Sequence, residues 1–199
     1  MAITTIPSSG TTDGTNLVKI SSQTASDVAS IEFTSGIDST YNEYIIKLFG
    51  IAPSADSKNF EMNFSTDGGS NYNVTKTTNQ FEAYHTENGA TSNLRYDANN
   101  RDLAQSTSFQ RITGEMPQAS GEEDSSASGT IRLYDAASTT LVKQFHTDIN
   151  YTAEGTSLYA WRLFTSGYCN TTSAIDAVKF KFNSGNIRVG TITLYGVRA

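Results

Sequence analysis

The chain closes on SGNIRVGTITLYGVRA, residues 184–199, and this stretch indicates the fold class. Ile192 and Leu194 alternate with threonines, which is the period of two expected of a strand with one buried face. Val189 falls on the opposite parity, so the pattern predicts a β-bulge at Gly190, where the parity changes. We therefore expect the C-terminal strand to be held within a sheet and to be needed for closing the core.

Other segments alternate in the same way between turn residues, and no stretch of useful length has the helical period. The alternating segments are 60–65, 131–133, 144–149 and 178–182. Two more, 44–51 and 158–164, are apolar on both parities, and we expect them centrally in a sheet or, for one of them, at a subunit interface. Many short strands without helices predict an all-β, antiparallel, jelly-roll-like β-sandwich. The predicted core contains Phe60, Phe64, Phe145, Phe180, Ile192 and Leu194.

The N-terminal segment differs from the rest of the chain. We predict an extended arm over residues 1–25, followed by one jelly-roll domain over 26–199. The arm is polar and too poor in apolar residues to fold alone, so we expect Ile3, Ile6 and Leu17 to dock on a neighbouring subunit. The alternative is that the arm runs along its own domain.

The composition restricts the classes of function. The 199 residues carry a formal net charge of −6 and no basic run, so a nucleic-acid-binding surface is not expected. Cys169 is the single cysteine, which excludes an intramolecular disulfide and is typical of a small buried side chain. The sequence has no signal-peptide pattern and no apolar run of transmembrane length, so we expect no membrane partner and assembly in a cytoplasm.

No catalytic motif is present. The histidines, His85 and His146, fall on strand segments without a nucleophile placed beside them, so we expect solvent-facing or hydrogen-bonded roles and no enzymatic activity. Acids suited to glycoside cleavage are numerous, and the sequence does not single out a pair of them. These acids are Glu61, Glu82, Glu87, Asp97 and Asp102.

No cofactor or metal site is expected either. The one dense acidic run, Glu122-Glu123-Asp124, lies in a Ser/Gly-rich loop and lacks the spacing of a calcium loop. Three aromatic residues, Tyr159, Trp161 and Tyr168, are candidates for a subunit interface or a glycan platform. Tyr84 and Tyr96 are further candidates, and core packing is the alternative for the whole set.

Four segments carry a family resemblance. They are SIEFTSGIDSTYNEY (30–44), STDGGSNY (65–72), GYCNTTSAI (167–175) and the closing stretch 184–199. In order and content they resemble bacteriophage virion structural proteins common among marine tailed phages. The resemblance runs from about residue 20 to the end and is weak over 86–104 and 118–128. Its motifs are structural rather than catalytic.

The resemblance implies a component of the virion. Joined to the composition, it leads us to expect a capsid decoration (cement) protein that binds the major capsid protein on the outside of the head, stabilises the shell and forms a homo-oligomer. The alternative is a tail-fibre or receptor-binding domain that recognises a host surface glycan. A third interpretation is a polysaccharide depolymerase.

Overall fold

The computed structural model describes residues 16–96, 101–118, 124–153 and 158–198. Within these ranges the chain forms twelve β-strands and no helix. The strands are β1 (Leu17–Val28), β2 (Ile31–Phe33), β3 (Glu43–Pro53), β4 (Phe60–Ser65), β5 (Lys76–Thr86), β6 (Ser92–Tyr96), β7 (Gln110–Arg111), β8 (Ala127–Tyr134), β9 (Lys143–Ala153), β10 (Tyr159–Cys169), β11 (Ala177–Phe182) and β12 (Ile187–Val197).

The strands form two sheets, and every pair of neighbours is antiparallel. The larger sheet has the order β1-β12-β3-β8-β9-β10-β5-β6, and the smaller sheet has the order β2-β11-β4-β7. Side chains from both sheets form one buried apolar cluster. The predicted all-β sandwich is confirmed.

Two insertions widen the larger sheet. The hairpin β5–β6 lies between β4 and β7 in the chain, and β9–β10 lies between β8 and β11. Without these four strands the larger sheet has the order β1-β12-β3-β8 and the smaller sheet has the order β2-β11-β4-β7. Each strand is then consecutive in numbering with the strand at the same position of the other sheet: β1 with β2, β12 with β11, β3 with β4 and β8 with β7. This correspondence is compatible with the predicted jelly roll. The inserted strands form half of the larger sheet, next to β8.

The closing stretch lies inside the larger sheet. Strand β12 pairs with β1 on one side and with β3 on the other, and Ile192 and Leu194 are fully buried. The β3–β12 register shifts on both sides of Val189, and Gly190 has φ +123°. A Cβ at Gly190 would lie 2.8 Å from the carbonyl oxygen of Gly50, so glycine permits this close approach. The predicted bulge is confirmed.

The sandwich begins earlier than the sequence analysis places it. Residues 17–25, assigned above to the arm, belong to β1, which pairs with β12 from Leu17 to Val28. The segment is rich in Ser and Thr because β1 is an edge strand with one solvated face, and hydroxyls on that face pair across strands, as in Ser22 with Thr193 at 2.8 Å.

The core contains the residues that the alternation predicts. Phe60, Phe64, Phe145, Phe180, Ile192 and Leu194 are buried in one cluster. Phe64 of β4 meets Phe145 of β9 edge to face, with 5.3 Å between ring centroids, so this contact joins the two sheets. The two strands that are apolar on both parities, β3 and β10, lie in the interior of the larger sheet, as predicted.

Candidate binding face

One face of the larger sheet packs on the core and the other carries alternate side chains into solvent. On β5, Gln80 and Glu82 are fully buried, whereas Phe81 is 44 % exposed. The same alternation runs along β9 and β10. We call the solvent-facing side of this sheet the outer face.

Four rings cross the outer face on four neighbouring strands. Phe81 of β5 stacks on Phe164 of β10 with ring centroids 4.9 Å apart. Phe164 stacks on His146 of β9 at 5.7 Å, and His146 meets Tyr134 of β8 at 5.8 Å. We call these four residues the aromatic stripe. Tyr96 of β6, which is 56 % exposed, pairs with Phe81 and continues the stripe to the sheet edge.

The rings of the stripe cover one another. The planes of Phe81 and Phe164 differ by 25°, and those of Phe164 and His146 by 16°. Their separations are close to the spacing between strands, so neighbouring rings stand side by side with their faces in contact. Stacked neighbours therefore cover part of one another's faces. Aromatic residues are enriched at protein–protein interfaces.

Ion pairs flank the stripe. Arg162 of β10 donates two hydrogen bonds to Asp148 of β9, at 2.7 and 2.5 Å, and these bonds lower the pKa of the Asp148 carboxyl. Arg132 of β8 pairs with Glu43 of β3 at 2.5 Å. The register also places Lys47 on this face, where its amine lies 5.4 Å from the ring centroid of Tyr195. The outer face thus carries several cations in a chain of net charge −6.

His146 is the imidazole of the stripe. Burial, followed by the positive charge of Arg132, lowers its pKa, while Glu43 and Asp148 oppose that shift. Lowering the pKa keeps the imidazole neutral at neutral pH, which suits its stacking on Phe164.

A shallow groove of about 530 Å³ lies beside the stripe. Its floor is low because Ala83 and Ala160 have short side chains. His85, Asn150 and Arg162 line it with polar groups.

The structure separates the three aromatic candidates. Trp161 lies on the inward side of β10, stacks on Tyr84 at 4.4 Å and donates its indole N–H to Glu82 at 3.1 Å. Tyr159 packs on Trp161 at 5.6 Å on that same side. Tyr168 lies on the outer face and is half-buried. Only Tyr168 of the three therefore shares the outer face with the stripe.

The structure describes one of the three arm residues that were predicted to contact a neighbouring subunit. Ile3 and Ile6 lie outside the described residues. Leu17 is the first residue of β1, is half-buried and pairs with Val197 of its own chain. Its backbone is therefore engaged within the sandwich.

The acids considered for catalysis have separate partners. Buried Glu82 pairs with Arg95 at 2.7 Å and with Arg101 at 3.4 Å. Glu61 pairs with Lys181 at 3.3 Å, and Asp102 accepts a 2.6 Å hydrogen bond from the Tyr96 hydroxyl. Glu87 is exposed beyond the end of β5.

Asp97, the remaining catalytic candidate, lies outside the described residues, and so does the pair Glu122-Glu123 of the acidic run. Asp124, the last member of the acidic run, is exposed. Within the described ranges, no group of three or more His, Cys, Asp or Glu side chains is arranged to hold a metal ion.

Sequence reasoning missed Phe81 because β5 reverses the usual polarity, and it missed Phe164 because β10 is apolar on both parities. Thr78, Gln80 and Glu82 face inward there, and an apolar ring faces outward. Interior partners bind several of these polar groups, as when Gln80 Nε2 donates 2.7 Å hydrogen bonds to Thr165 Oγ1 and to the carbonyl oxygen of Arg111. The pairing of aromatic residues on neighbouring strands depends on the strand register, which the sequence alone does not give.

Comparison with known proteins gives no match: no family model, no curated protein and no solved structure is significantly similar to the chain. Among the described residues, no helix is long and apolar enough to cross a membrane.

Proposed function

We propose that this chain is a non-catalytic virion structural protein, a capsid decoration protein that binds the outside of a phage head through its outer face. The observation that carries the proposal is the aromatic stripe, which lies on a broad face that no other described strand covers. The resemblance of the four segments 30–44, 65–72, 167–175 and 184–199 to phage virion proteins supplies the setting.

The chemistry of the outer face favours a protein partner. The aromatic stripe offers apolar contact area, and Arg162 and Arg132 are held in defined orientations by Asp148 and Glu43. Together with Lys47, these groups complement a neutral or acidic surface with an apolar centre. The major capsid protein is the proposed partner, and the acidic net charge argues against nucleic acid.

Decoration would act through many copies. One outer face of this size provides a modest interface, but subunits that also contact one another bind the shell multivalently. A homo-oligomer on the virion is therefore part of the proposal, and the N-terminal residues 2–15 are the proposed contact between neighbouring subunits.

Counting copies per particle tests this role. Quantitative mass spectrometry of purified virions, with the major capsid protein as internal standard, should find the chain in numbers that scale with the capsid lattice. A few copies to a few dozen per particle would instead identify a tail component. Absence from purified particles would overturn the virion proposal itself.

The groove supports a second candidate, a receptor-binding domain for a host surface glycan. Polar side chains of His85, Asn150 and Arg162 line it, and such groups hydrogen-bond sugar hydroxyls. Ala160→Trp would fill the groove floor without touching the stripe. Loss of host-glycan binding in this variant, with stripe variants still binding, would favour the receptor role. Polysaccharide cleavage that is lost when His85 and His146 are both replaced would favour a depolymerase.

A further inference from the structure

Lys76 is a lysine buried in the sandwich. Its side chain is fully buried, which is rare for lysine unless the charge is paired. Among the described residues, no carboxylate forms an ion pair with it; its amine contacts Asn63 Oδ1 at 2.5 Å and the carbonyl oxygen of Val74 at 2.7 Å. An unpaired buried ammonium is costly, so burial lowers the pKa of the Lys76 amine to about 8.

The groups beside Lys76 do not supply a counter-ion. Cys169 lies directly opposite Lys76 in the β5–β10 register, and burial raises the pKa of its thiol to about 12, so the thiol stays uncharged. Lys143 lies opposite Cys169 on β9 and is also buried. A neutral Lys76 amine, which is a nucleophile, is therefore accessible near physiological pH.

Asn63 presents a polarised amide to this amine. It lies on β4 of the smaller sheet, is fully buried, and its Oδ1 also accepts a 2.9 Å hydrogen bond from the Phe64 N–H. Its Nδ2 donates to the carbonyl oxygens of Tyr72 at 2.7 Å and Thr107 at 2.9 Å. Donors on the oxygen and acceptors on the nitrogen fix the amide in one orientation, and the Phe64 N–H stabilises negative charge that develops on the oxygen.

The distance allows bond formation. Since a C=O bond is about 1.2 Å long and Nζ lies 2.5 Å from Oδ1, Nζ is at most about 3.7 Å from the amide carbon of Asn63. Reacting atoms in near-attack geometries are about 3–3.5 Å apart. A small shift of the lysine side chain therefore brings its nitrogen onto the carbon.

We infer that Lys76 and Asn63 form an intramolecular isopeptide bond that joins the two sheets of the sandwich. The neutral amine adds to the amide carbon, a new C–N bond forms, and the original C–Nδ2 bond breaks. The nitrogen of Lys76 gives one proton to Nδ2, which leaves as ammonia. The reaction needs no oxidant or cofactor, and it replaces a buried titratable amine by a neutral amide.

Tryptic mapping of the denatured protein tests this inference, and it is independent of the proposed function. Trypsin releases residues 59–76 and 77–95 from an unmodified chain, because cleavage follows Lys58, Lys76 and Arg95. The isopeptide blocks cleavage after Lys76, so the expected product is one fragment, 59–95, lighter than its sequence mass by one ammonia. A succinimide at an asparagine loses the same ammonia but leaves cleavage after Lys76 intact.

The chain contains an internal control. Lys143 is buried in the same row, but its amine contacts the carbonyl oxygen of Thr171 at 3.4 Å, which is not an electrophilic side-chain amide. Normal cleavage after Lys143 is expected. Asn63→Ala and Lys76→Arg should each restore the full intact mass. These variants also remove buried contacts, so the tryptic map of the wild type is the deciding measurement. The wild type is first incubated at about pH 9, where the amine is neutral. Full mass and complete cleavage after Lys76 would then overturn the inference.

Discussion

Phe81 and Phe164 lie directly opposite each other on β5 and β10, with ring centroids 4.9 Å apart, on the solvent side of the larger sheet. The neighbours of Phe81 in the chain, Gln80 and Glu82, are fully buried on the other side. Phe81 thus faces outward from a strand whose inward side is polar, and it stacks on a second outward ring of the neighbouring strand. This inversion is the main reason to regard the outer face as a surface that binds a partner.

A matched pair of phenylalanine truncations should separate the two faces of the sandwich. Phe180→Ala removes a fully buried ring and should lower the free energy of unfolding by about 3–5 kcal/mol. Phe81→Ala removes a half-exposed ring and its stacking contact with Phe164, and should cost about 1 kcal/mol. Urea unfolding of the two variants provides the comparison. Equal costs would mean that Phe81 is not on a solvent-facing side of the larger sheet as described.

The sequence predicts those elements whose pattern follows the usual rule of apolar inside and polar outside. Strands β4, β9, β11 and β12 follow it, and their core residues were predicted correctly. The extent of β1 was not predicted, because an edge strand of Ser and Thr has the composition of a polar tail. The stripe was not predicted either, because buried Gln80 and Glu82 depend on partners distant in sequence, including Arg111 and Arg95.

The Cys169 thiol should be unreactive in the folded protein. It is fully buried, so a reagent has no access to the sulfur. Burial also raises its pKa to about 12, so almost no reactive thiolate is present at neutral pH. A thiol-specific reagent at neutral pH should label the chain only after denaturation. Ser92→Cys, at an exposed position of β6, provides the control and should react in the folded state. Rapid labelling of native Cys169 would contradict the described packing.

Acidification should destabilise the fold through His146. Its pKa in the folded state lies below the usual 6.5, so the unfolded chain binds the proton more readily. Stability is therefore full above about pH 6.5 and falls as the pH drops from there through the folded-state pKa.

The measurement is the difference in thermal midpoint between about pH 7.5 and pH 5.5. His146→Gln should show a smaller difference than the wild type, whereas exposed His85→Gln should behave like the wild type. An unchanged difference in His146→Gln would show that other groups control the acid response.

Deleting residues 2–15 should leave the sandwich folded, because its first described strand begins at Leu17. The far-UV spectrum and the urea midpoint should remain those of the full chain. In the proposed role the deletion should weaken loading onto particles, since Ile3 and Ile6 are the proposed subunit contacts. A variant with the same segment scrambled controls for length. Full loading of the deletion variant onto particles would show that residues 2–15 do not form the subunit contact.

The most direct test of the account concerns the stripe itself. Head shells that lack this protein are mixed with the wild type, with a Phe81→Ser/Phe164→Ser variant, or with Leu141→Ser, which alters an exposed apolar residue in the β8–β9 loop. Bound protein is then measured after sedimentation, with folding of each variant checked by far-UV spectroscopy. The account predicts that wild type and Leu141→Ser load fully, whereas the stripe variant stays folded and unbound. Full loading of the stripe variant would contradict the central claim that the outer face holds the protein on its partner.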